Sequence, residues 1–544
     1  MAAVYTQKHE AQVKGGPEEG LSLSHPVHSD TTRRWIVASY WLVVLLCLPV
    51  WYYMTSIERL PLPTERIGLL EGKRVTFPIK IDLDLGNQFD SVQRGMYARG
   101  MEEDLSLLKQ QSIDFPPLDF EFTFNADRHP VDPCLQSETD EAEDSYYVHF
   151  RMVDVDRPFV TCGRHLVVGV KDTLRIPLPV TDAIRDLVAP YSNQKLHPTA
   201  AESRIAQYSP TYRLAFTLLN EDASVGGAAT GWEIHEALSR YIHPTLTQLR
   251  DLHNFTVESQ VQYFGGLTFD PQLEVSDGVQ RWTLSEEQMS VFINSAEWTL
   301  TSGVSNDPVL HFILFVPSAE RRPLVTHTTF VGQRNDSFVL PQWGGVVIHN
   351  PPIAGQGSPN TFLSLHDLSG PFNTFRAQLA ALLGVPHFTP QVTALDRAKF
   401  GITPWQLDAL KRRRSLENIA NSADALRSIV HLVNQIENMP VGQDVLGQVD
   451  GALAALDATT PATQEQSSRS LSHLLAHSID ALTLSSQAFF NPGMIGLLYY
   501  PTEHKYAVYT PLFAPVAVPL VVALVRDLRG WRARRRAASK QKTE

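Results

Sequence analysis

The sequence predicts an α/β lumenal domain with a helical C-terminal part, flanked by one transmembrane helix at each end. Three observations carry this reading. Two uncharged apolar runs lie near the ends of the 544-residue chain. Between them, alternating strand patterns are interleaved with helical spacing. From Phe375 onward the spacing turns helical.

The first run is WIVASYWLVVLLCLPVWYYM, residues 35–54. About 20 residues rising ~1.5 Å each reach across ~30 Å of hydrocarbon. A cleaved signal fits poorly, because a polar stretch precedes the run and no small-residue cleavage site follows it. Trp51, Tyr52 and Tyr53 follow instead, as at the headgroup rim of a permanent anchor. The Leu-Pro steps at Pro61 and Pro63 then predict a stiff, extended exit. The second run is YAVYTPLFAPVAVPLVVALV, residues 506–525. Its prolines, Pro511, Pro515 and Pro519, are four apart. A membrane helix tolerates them where neighbours meet the freed carbonyls, so a kinked span packed on other helices is expected.

Basic residues set the orientation. Arg33 and Arg34 precede the first run, and Arg526, Arg529, Arg532, Arg534, Arg535, Arg536, Lys540 and Lys542 follow the second. Both termini are therefore predicted to be cytosolic. Of the 46 Lys+Arg and 58 Asp+Glu, 34 and 52 lie between the runs, a net charge of −18. Such an acidic middle argues against nucleic-acid binding. The sequons Asn254-Phe255-Thr256 and Asn335-Asp336-Ser337 both fall in the middle, making Asn254 and Asn335 N-glycosylation candidates.

Within the middle, VTFPIKIDLDL (75–85) and DFEFTFN (119–125) alternate as half-buried strands. YRLAFTLL (212–219) and HFILFV (311–316) are apolar runs of the central-strand kind. WEIHEALSRYIHPTLTQLRDLH (232–253) has helical spacing, and Pro244 should kink it or start a second helix. WGGVVIHN (343–350) reads as a Gly-led strand. FRAQLAALLG ends at Gly384, a plausible helix stop, and Thr403-Pro404 is an N-cap followed by Pro at N1. Residues 444–456 and 467–490 continue as helices, with a loop over 458–470. No internal repeat is evident. The predicted division is 1–34 cytosolic tail, 35–54 transmembrane helix, 55–374 lumenal α/β domain, 375–505 lumenal mainly helical part, 506–525 second transmembrane helix and 526–544 cytosolic basic tail.

The chemistry-bearing residues form no catalytic constellation. Cys162 and His165 in TCGRH precede a strand, and residues three apart on one strand point to opposite faces. The chain has three cysteines, with Cys47 inside the first run. Two ordinary buried thiols are expected for the others, with a Cys134–Cys162 disulfide as the alternative in an oxidising lumen. Asp82/Asp84 and Asp154/Asp156 are Asp-x-Asp pairs, as in lumenal metal-dependent glycosyltransferases. A solvated strand face is their simpler reading. His235-Glu236 and His243 lack the spacing of zinc proteases, and Gly355-Gln356-Gly357 lacks the strand–helix context of a phosphate loop. Lys411-Arg412-Arg413-Arg414 reads as a solvated helix face, or as a docking point for an acidic partner. No catalytic, metal or cofactor residue is assigned, and a large domain tethered at both ends suits scaffolding.

LPVWYYMTSIERLPLP (48–63) resembles the N-terminal signature of the PIG-S family, in which a Pro-x-Trp-Trp step leads into Thr-Thr-x-x-Tyr-Arg-x-x-Leu-Pro. Pro49, Trp51, Thr55, Arg59, Leu62 and Pro63 match it, while Tyr52, Ser56 and Glu58 depart. YRLAFTLLNED, WEIHEALSRYIHPTLTQL, NFTVESQVQYF, WGGVVIHN and FRAQLAALLG are similar to successive family segments, and 485–525 is similar to its C-terminal block. Residues 135–210 and 440–470 match least. The resemblance implies a non-catalytic subunit of the glycosylphosphatidylinositol (GPI) transamidase of the endoplasmic reticulum membrane. That complex attaches preassembled GPI anchors to the C-terminus of proproteins. Implied partners are a caspase-like catalytic subunit, PIG-T, PIG-U and GPAA1-type subunits, with GPI lipid at the membrane. No cofactor is implied. The alternative function is a lumenal metal-dependent glycosyltransferase.

Overall fold

The computed structural model describes residues 30–55, 59–72, 75–85, 118–125, 145–152, 159–170, 179–191, 205–276, 278–292, 306–326, 336–352, 359–388, 392–394, 401–436, 439–459, 470–495 and 502–540, together with Val92, Gly95, Met96 and Arg99. The chain divides into two units. One comprises residues 1–60, 436–442 and 492–544; the other comprises 61–435 and 443–491.

Among the described residues, the first unit contains two helices long and apolar enough to cross a membrane, Asp30–Thr55 and Thr502–Lys540. They run antiparallel. Trp51 meets Tyr509 and Phe513 edge-on at 5.8 and 5.9 Å, while Arg33 reaches Asp527 at 3.4 Å near their other ends. The second helix does not stop at Val525. It runs through the basic segment to Lys540, because Arg, Ala and Leu are strong helix formers. Below the first helix, Arg59 forms a bridge with Val441, and the Leu60 N–H donates to the Val441 carbonyl at 3.0 Å.

The second unit carries sixteen strands among the described residues. They are β1 Phe77–Asp84, β2 Leu118–Asn125, β3 Ser145–Met152, β4 Phe159–Cys162, β5 His165–Val170, β6 Thr211–Asn220, β7 Ala229–Trp232, β8 Asn254–Gln262, β9 Gln272–Ser276, β10 Val279–Leu284, β11 Val309–Val316, β12 Leu324–Thr326, β13 Ser337–Leu340, β14 Gly344–Ile348, β15 Thr361–Leu363 and β16 Val392–Ala394. Each expected strand appears. β1 buries Phe77, Ile79, Ile81 and Leu83 on one face, as its alternation requires. β6 and β11 are buried along almost their whole length.

The sheets hold what the sequence conceals. The first has the order β2-β1-β3-β5-β4-β16, and the second β8-β6-β11-β14-β13. In the first, β1 pairs in parallel with β2 and β3, β3 with β5, and β4 closes antiparallel on β5. In the second, β6 pairs in parallel with β8 and β11, β11 with β14, and β13 closes antiparallel on β14. Both sheets therefore use the order 2-1-3-5-4 with the same strand directions. The unit is two copies of one α/β design. Each copy has a helix on its own core: Pro179–Val188 contributes Val180, Ile184 and Leu187 to the first, and Leu365–Leu382 contributes Phe372, Phe375 and Leu379 to the second. The second copy also carries an inserted sheet, β12-β10-β9, which closes over Ile313 and Phe315.

Local signals behave as expected. Pro244 opens the His243–Gln248 helix after a π-turn at Leu238–Ile242. Thr403 and Gln406 exchange bonds of 3.0 and 3.4 Å in a capping box that starts the Pro404–Gln435 helix. Gly384 takes φ +82° after the Leu365–Leu382 helix, which begins ahead of Phe375. The glycines of WGG have a steric cause. A Cβ on Gly345 would run into the amide of Gln378, and one on Gly344 into the His311 carbonyl. Gln378, fully buried, donates from Nε2 to the carbonyls of Phe338 and Val346 at 3.0 and 3.1 Å.

The basic run Lys411–Arg414 is not a solvated face. Lys411, Arg412 and Arg414 are buried, because the Pro404–Gln435 helix is wedged between both copies. Arg412 donates to the Tyr146 hydroxyl at 2.9 Å and the Val188 carbonyl at 3.0 Å, both in the first copy. Arg414 donates to the Leu383 carbonyl at 2.9 Å, in the second. Asp408, fully buried, accepts Arg164 bidentately at 2.8 and 3.1 Å and the Tyr146 hydroxyl at 3.0 Å. Lys411 reaches Asp251 at 2.9 Å and Ser472 at 3.0 Å. The helices Gln443–Ala458 and Leu471–Phe489 complete the helical part.

Removing one member of a buried, paired set leaves its partners uncompensated. Asp408→Ala is expected to cost about 3–5 kcal/mol of unfolding free energy, read by urea titration of tryptophan fluorescence. A loss under ~1 kcal/mol would mean that the clamp does not hold the copies together.

Candidate functional site

In open parallel sheets, ligands sit at the carboxyl ends of the strands where the strand order reverses. That point lies between β1 and β3 in the first copy, and between β6 and β11 in the second. Both points carry buried polar residues at the end of the first strand.

In the first copy, β1 ends on Asp84, paired in register with His149 of β3. Asp84 Oδ2 lies 3.0 Å from His149 Nδ1, and His149 Nε2 lies 2.9 Å from His165 Nδ1. All three side chains are at least nine-tenths buried. With Asp84 as carboxylate, His149 Nδ1–H donates to it, so His149 Nε2 accepts from His165 Nδ1–H. The carboxylate thereby fixes the tautomer of both rings. Burial pulls the His149 pKa below its ordinary value, opposed by its bond to Asp84. Tyr147 stacks on His165 at 4.8 Å. The arrangement is a closed hydrogen-bond chain able to hold protons in defined places. Among the described residues no group of three or more His, Cys, Asp or Glu has metal-site geometry.

In the second copy the point is filled by the chain itself. Glu221 follows β6, and its carboxylate accepts the Ser318 N–H at 2.8 Å and Arg321 at 2.6 Å. Arg321 extends its other arm to Asp270 at 2.6 Å. Asn220 ties β6 to its neighbours through Ala229 and Gln262. Arg322 donates to the carbonyls of Pro317 at 2.8 Å and Gly227 at 2.9 Å. A main-chain N–H and a guanidinium, the groups that commonly bind an anionic ligand, are thus taken by Glu221.

The sequence-predicted residues are scattered. Asp84 lies within the histidine chain and Asp82 is half-buried on the same strand; Asp154, Asp156, Cys134, Asn335 and residues 355–357 lie outside the described residues. Cys162 and His165 require a correction. They are not on one strand: Gly163 turns the chain at φ +58°, and the two residues face each other across the β4–β5 hairpin. Cross-strand partners share a face. Asn254 is exposed at the start of edge strand β8, with Thr256 on the same side. Ser337 of the other sequon is buried. His149 escaped the sequence reading, although its place in YYVHFRM, between alternating apolar residues, marks a polar side chain on a sheet face.

Comparison with known proteins brings the whole chain into view. The family model for phosphatidylinositol-glycan biosynthesis class S protein matches residues 38–534. The chain is 34% identical over 320 residues to the GPI-anchor transamidase component PIGS of Bos taurus, covering 58% of this chain and 56% of that protein. It is 25% identical over 509 residues to the GPI transamidase component PIG-S homolog of Schizosaccharomyces pombe, covering 91% and 84%. It is 23% identical over 522 residues to the GPI transamidase component GPI17 of Saccharomyces cerevisiae, covering 89% and 90%. The match thus spans little more than half of the mammalian relative and most of each yeast one. None of these names supports the glycosyltransferase reading.

Buried neutral histidines make stability depend on pH. Burial lowers His253 to about 4 and His311 to about 4, and lowers His149 and His349 as well. The unfolded chain therefore binds more protons below its own histidine pKa of ~6.5. The stability from neutral burial is present above ~6.5 and lost as pH falls towards about 4. His253 and His311 should each lose on the order of 2–3 kcal/mol over that window. Thermal melts from pH 7 to pH 4 will read this, and His311→Phe, which keeps the stack on Trp343, should flatten the slope.

Proposed function

The chain belongs to the PIG-S family, and on that premise we propose that it is the class S subunit of a GPI transamidase. The observation that carries this is the family match over residues 38–534, which takes in most of both apolar helices and everything between them. Its relatives are named as components of that transamidase. In this reading the two apolar helices anchor the chain in the endoplasmic reticulum membrane, both termini are cytosolic, and the double-sheet unit is lumenal. The basic residues outside both runs and the acidic region between them support that topology.

The subunit is non-catalytic, and the caspase-like partner carries the cysteine and histidine of the reaction. The occupation of the second crevice by Glu221 and Arg321 supports a scaffold over an enzyme. PIG-T, PIG-U and GPAA1-type chains are the other expected partners, with GPI lipid nearby in the membrane. Asn254 carries a glycan, supported by its exposure at the start of an edge strand. Cys134 and Cys162 are either thiols or a bridge, and a linked peptide pair in a non-reducing digest decides between them.

Depletion should leave GPI proproteins with their C-terminal signal uncleaved, seen as slower bands by immunoblot and as lost surface display. Full loss with normal GPI anchoring would overturn the assignment. Asn254→Gln should remove one endoglycosidase-sensitive shift from the full chain; an unchanged shift would remove Asn254 as an acceptor.

A further inference from the structure

The Leu365–Leu382 helix puts Phe372, Phe375, Leu379 and Leu382 into the second core. Asn373, Arg376 and Ala380 have the spacing of another helical side. They line a cavity of about 120 Å³. The segment that starts the Pro404–Gln435 helix supplies Gly401 and Gln406 to it, and the chain between the two helices supplies the exposed His387. At ~30 Å³ per water this volume holds about four waters, room for one small polyatomic ion. None of its lining residues belongs to either strand-reversal crevice.

The cavity has fixed walls. Gln406 donates from Nε2 to the Pro386 carbonyl at 2.6 Å, and its Oε1 accepts the Thr403 N–H at 3.0 Å. Gly401 has φ +82°, and a Cβ there would come within 2.7 Å of Arg376 Cδ. The arginine stem therefore lies against bare backbone, a close approach that glycine permits. Arg376 and His387 thus border one cavity, and no acidic residue lines it. The first turn of the Pro404–Gln435 helix, at Gln406, adds partial positive charge. The region between the apolar runs carries a net charge of −18, so this basic lining runs against its surroundings.

We propose that this cavity is a binding site for a phosphate group, free or as the end of a phosphoester. Arg376 supplies a planar fork, and its several N–H donors let it brace the wall and serve an ion together. His387 supplies a ring donor on the exposed side. Asn373 adds an amide, held by its bond to the Ser369 carbonyl at 2.8 Å. Donors from separate elements around one volume suit a tetrahedral oxyanion better than a planar carboxylate.

The test is calorimetric titration of the full chain in detergent at constant ionic strength, with inorganic phosphate, phosphoethanolamine and acetate as separate probes. Phosphate or phosphoethanolamine should bind and acetate should not. Tighter binding of phosphoethanolamine assigns the site to a phosphoester end, and tighter binding of inorganic phosphate assigns it to the free ion. Arg376→Lys keeps a stem against Gly401 but loses the fork, and should raise the Kd about tenfold. His387→Gln changes an exposed side chain that the fold does not need, and should weaken binding several-fold while leaving the melting temperature unchanged. Failure of both phosphate probes to bind, equal binding of acetate, or an unchanged Kd in His387→Gln and Arg376→Lys would overturn the proposal.

Discussion

The second unit depends on one helix whose charges are inside. The Pro404–Gln435 helix brings Trp405 into the first core and Leu410 into the second. Between these cores it carries Asp408, Lys411, Arg412 and Arg414, each bound to groups of neighbouring elements. Buried ions contribute little net stability against an apolar alternative, but they penalise misplacement heavily. Their role here is register. The bidentate Arg164–Asp408 pair and the Arg412 bond to Tyr146 are satisfied together in one placement of the helix on the first sheet. Tyr191, whose hydroxyl donates to the Gly384 carbonyl at 2.7 Å, adds a direct strut between the copies.

Given that clamp, the duplicated design explains where polar residues gather. Both copies place a polar residue at the end of their first strand, Asp84 in one and Asn220 in the other. Each is buried and each is hydrogen-bonded within the chain. The first copy meets its acid with two histidines, and the second follows its amide with a glutamate held by arginine. The same architectural position has thus been filled by two different internal chemistries. A fold that offers a ligand crevice by topology need not keep one.

Much of the fold was legible because burial imposes periodicity. The alternation in β1, the apolar runs of β6 and β11, the Thr403–Pro404 helix start and the Gly384 stop were all readable from neighbouring residues. The duplication was not. Topology lives in strand pairing, which leaves no local trace, and the insertion of β9, β10 and β12 gives the copies unequal lengths. The charged run at Lys411–Arg414 misled for a related reason. Sequence reports charge, while burial depends on distant partners such as Tyr146, Val188 and Leu383. The Cys162–His165 pair turned on a single glycine: a reversal at Gly163 converts opposite faces of one strand into one face of a hairpin. The Asp84–His149–His165 chain joins three strands, so no short window contained it.

Gly345 and Gln378 illustrate what such distance means. The glycine lacks a side chain where the glutamine inserts one, and the glutamine bonds carbonyls of both β13 and β14. The Trp-Gly-Gly strand and the Arg-x-Gln-Leu helix, separate as text, are one lock and its key in space. Variation at either site is therefore not independent. A side chain at 345 demands a smaller residue at 378, and a shorter residue at 378 opens space beside 345. Two such positions trade volume in compensating pairs, and a comparison of related sequences should be read for that exchange rather than for each column alone.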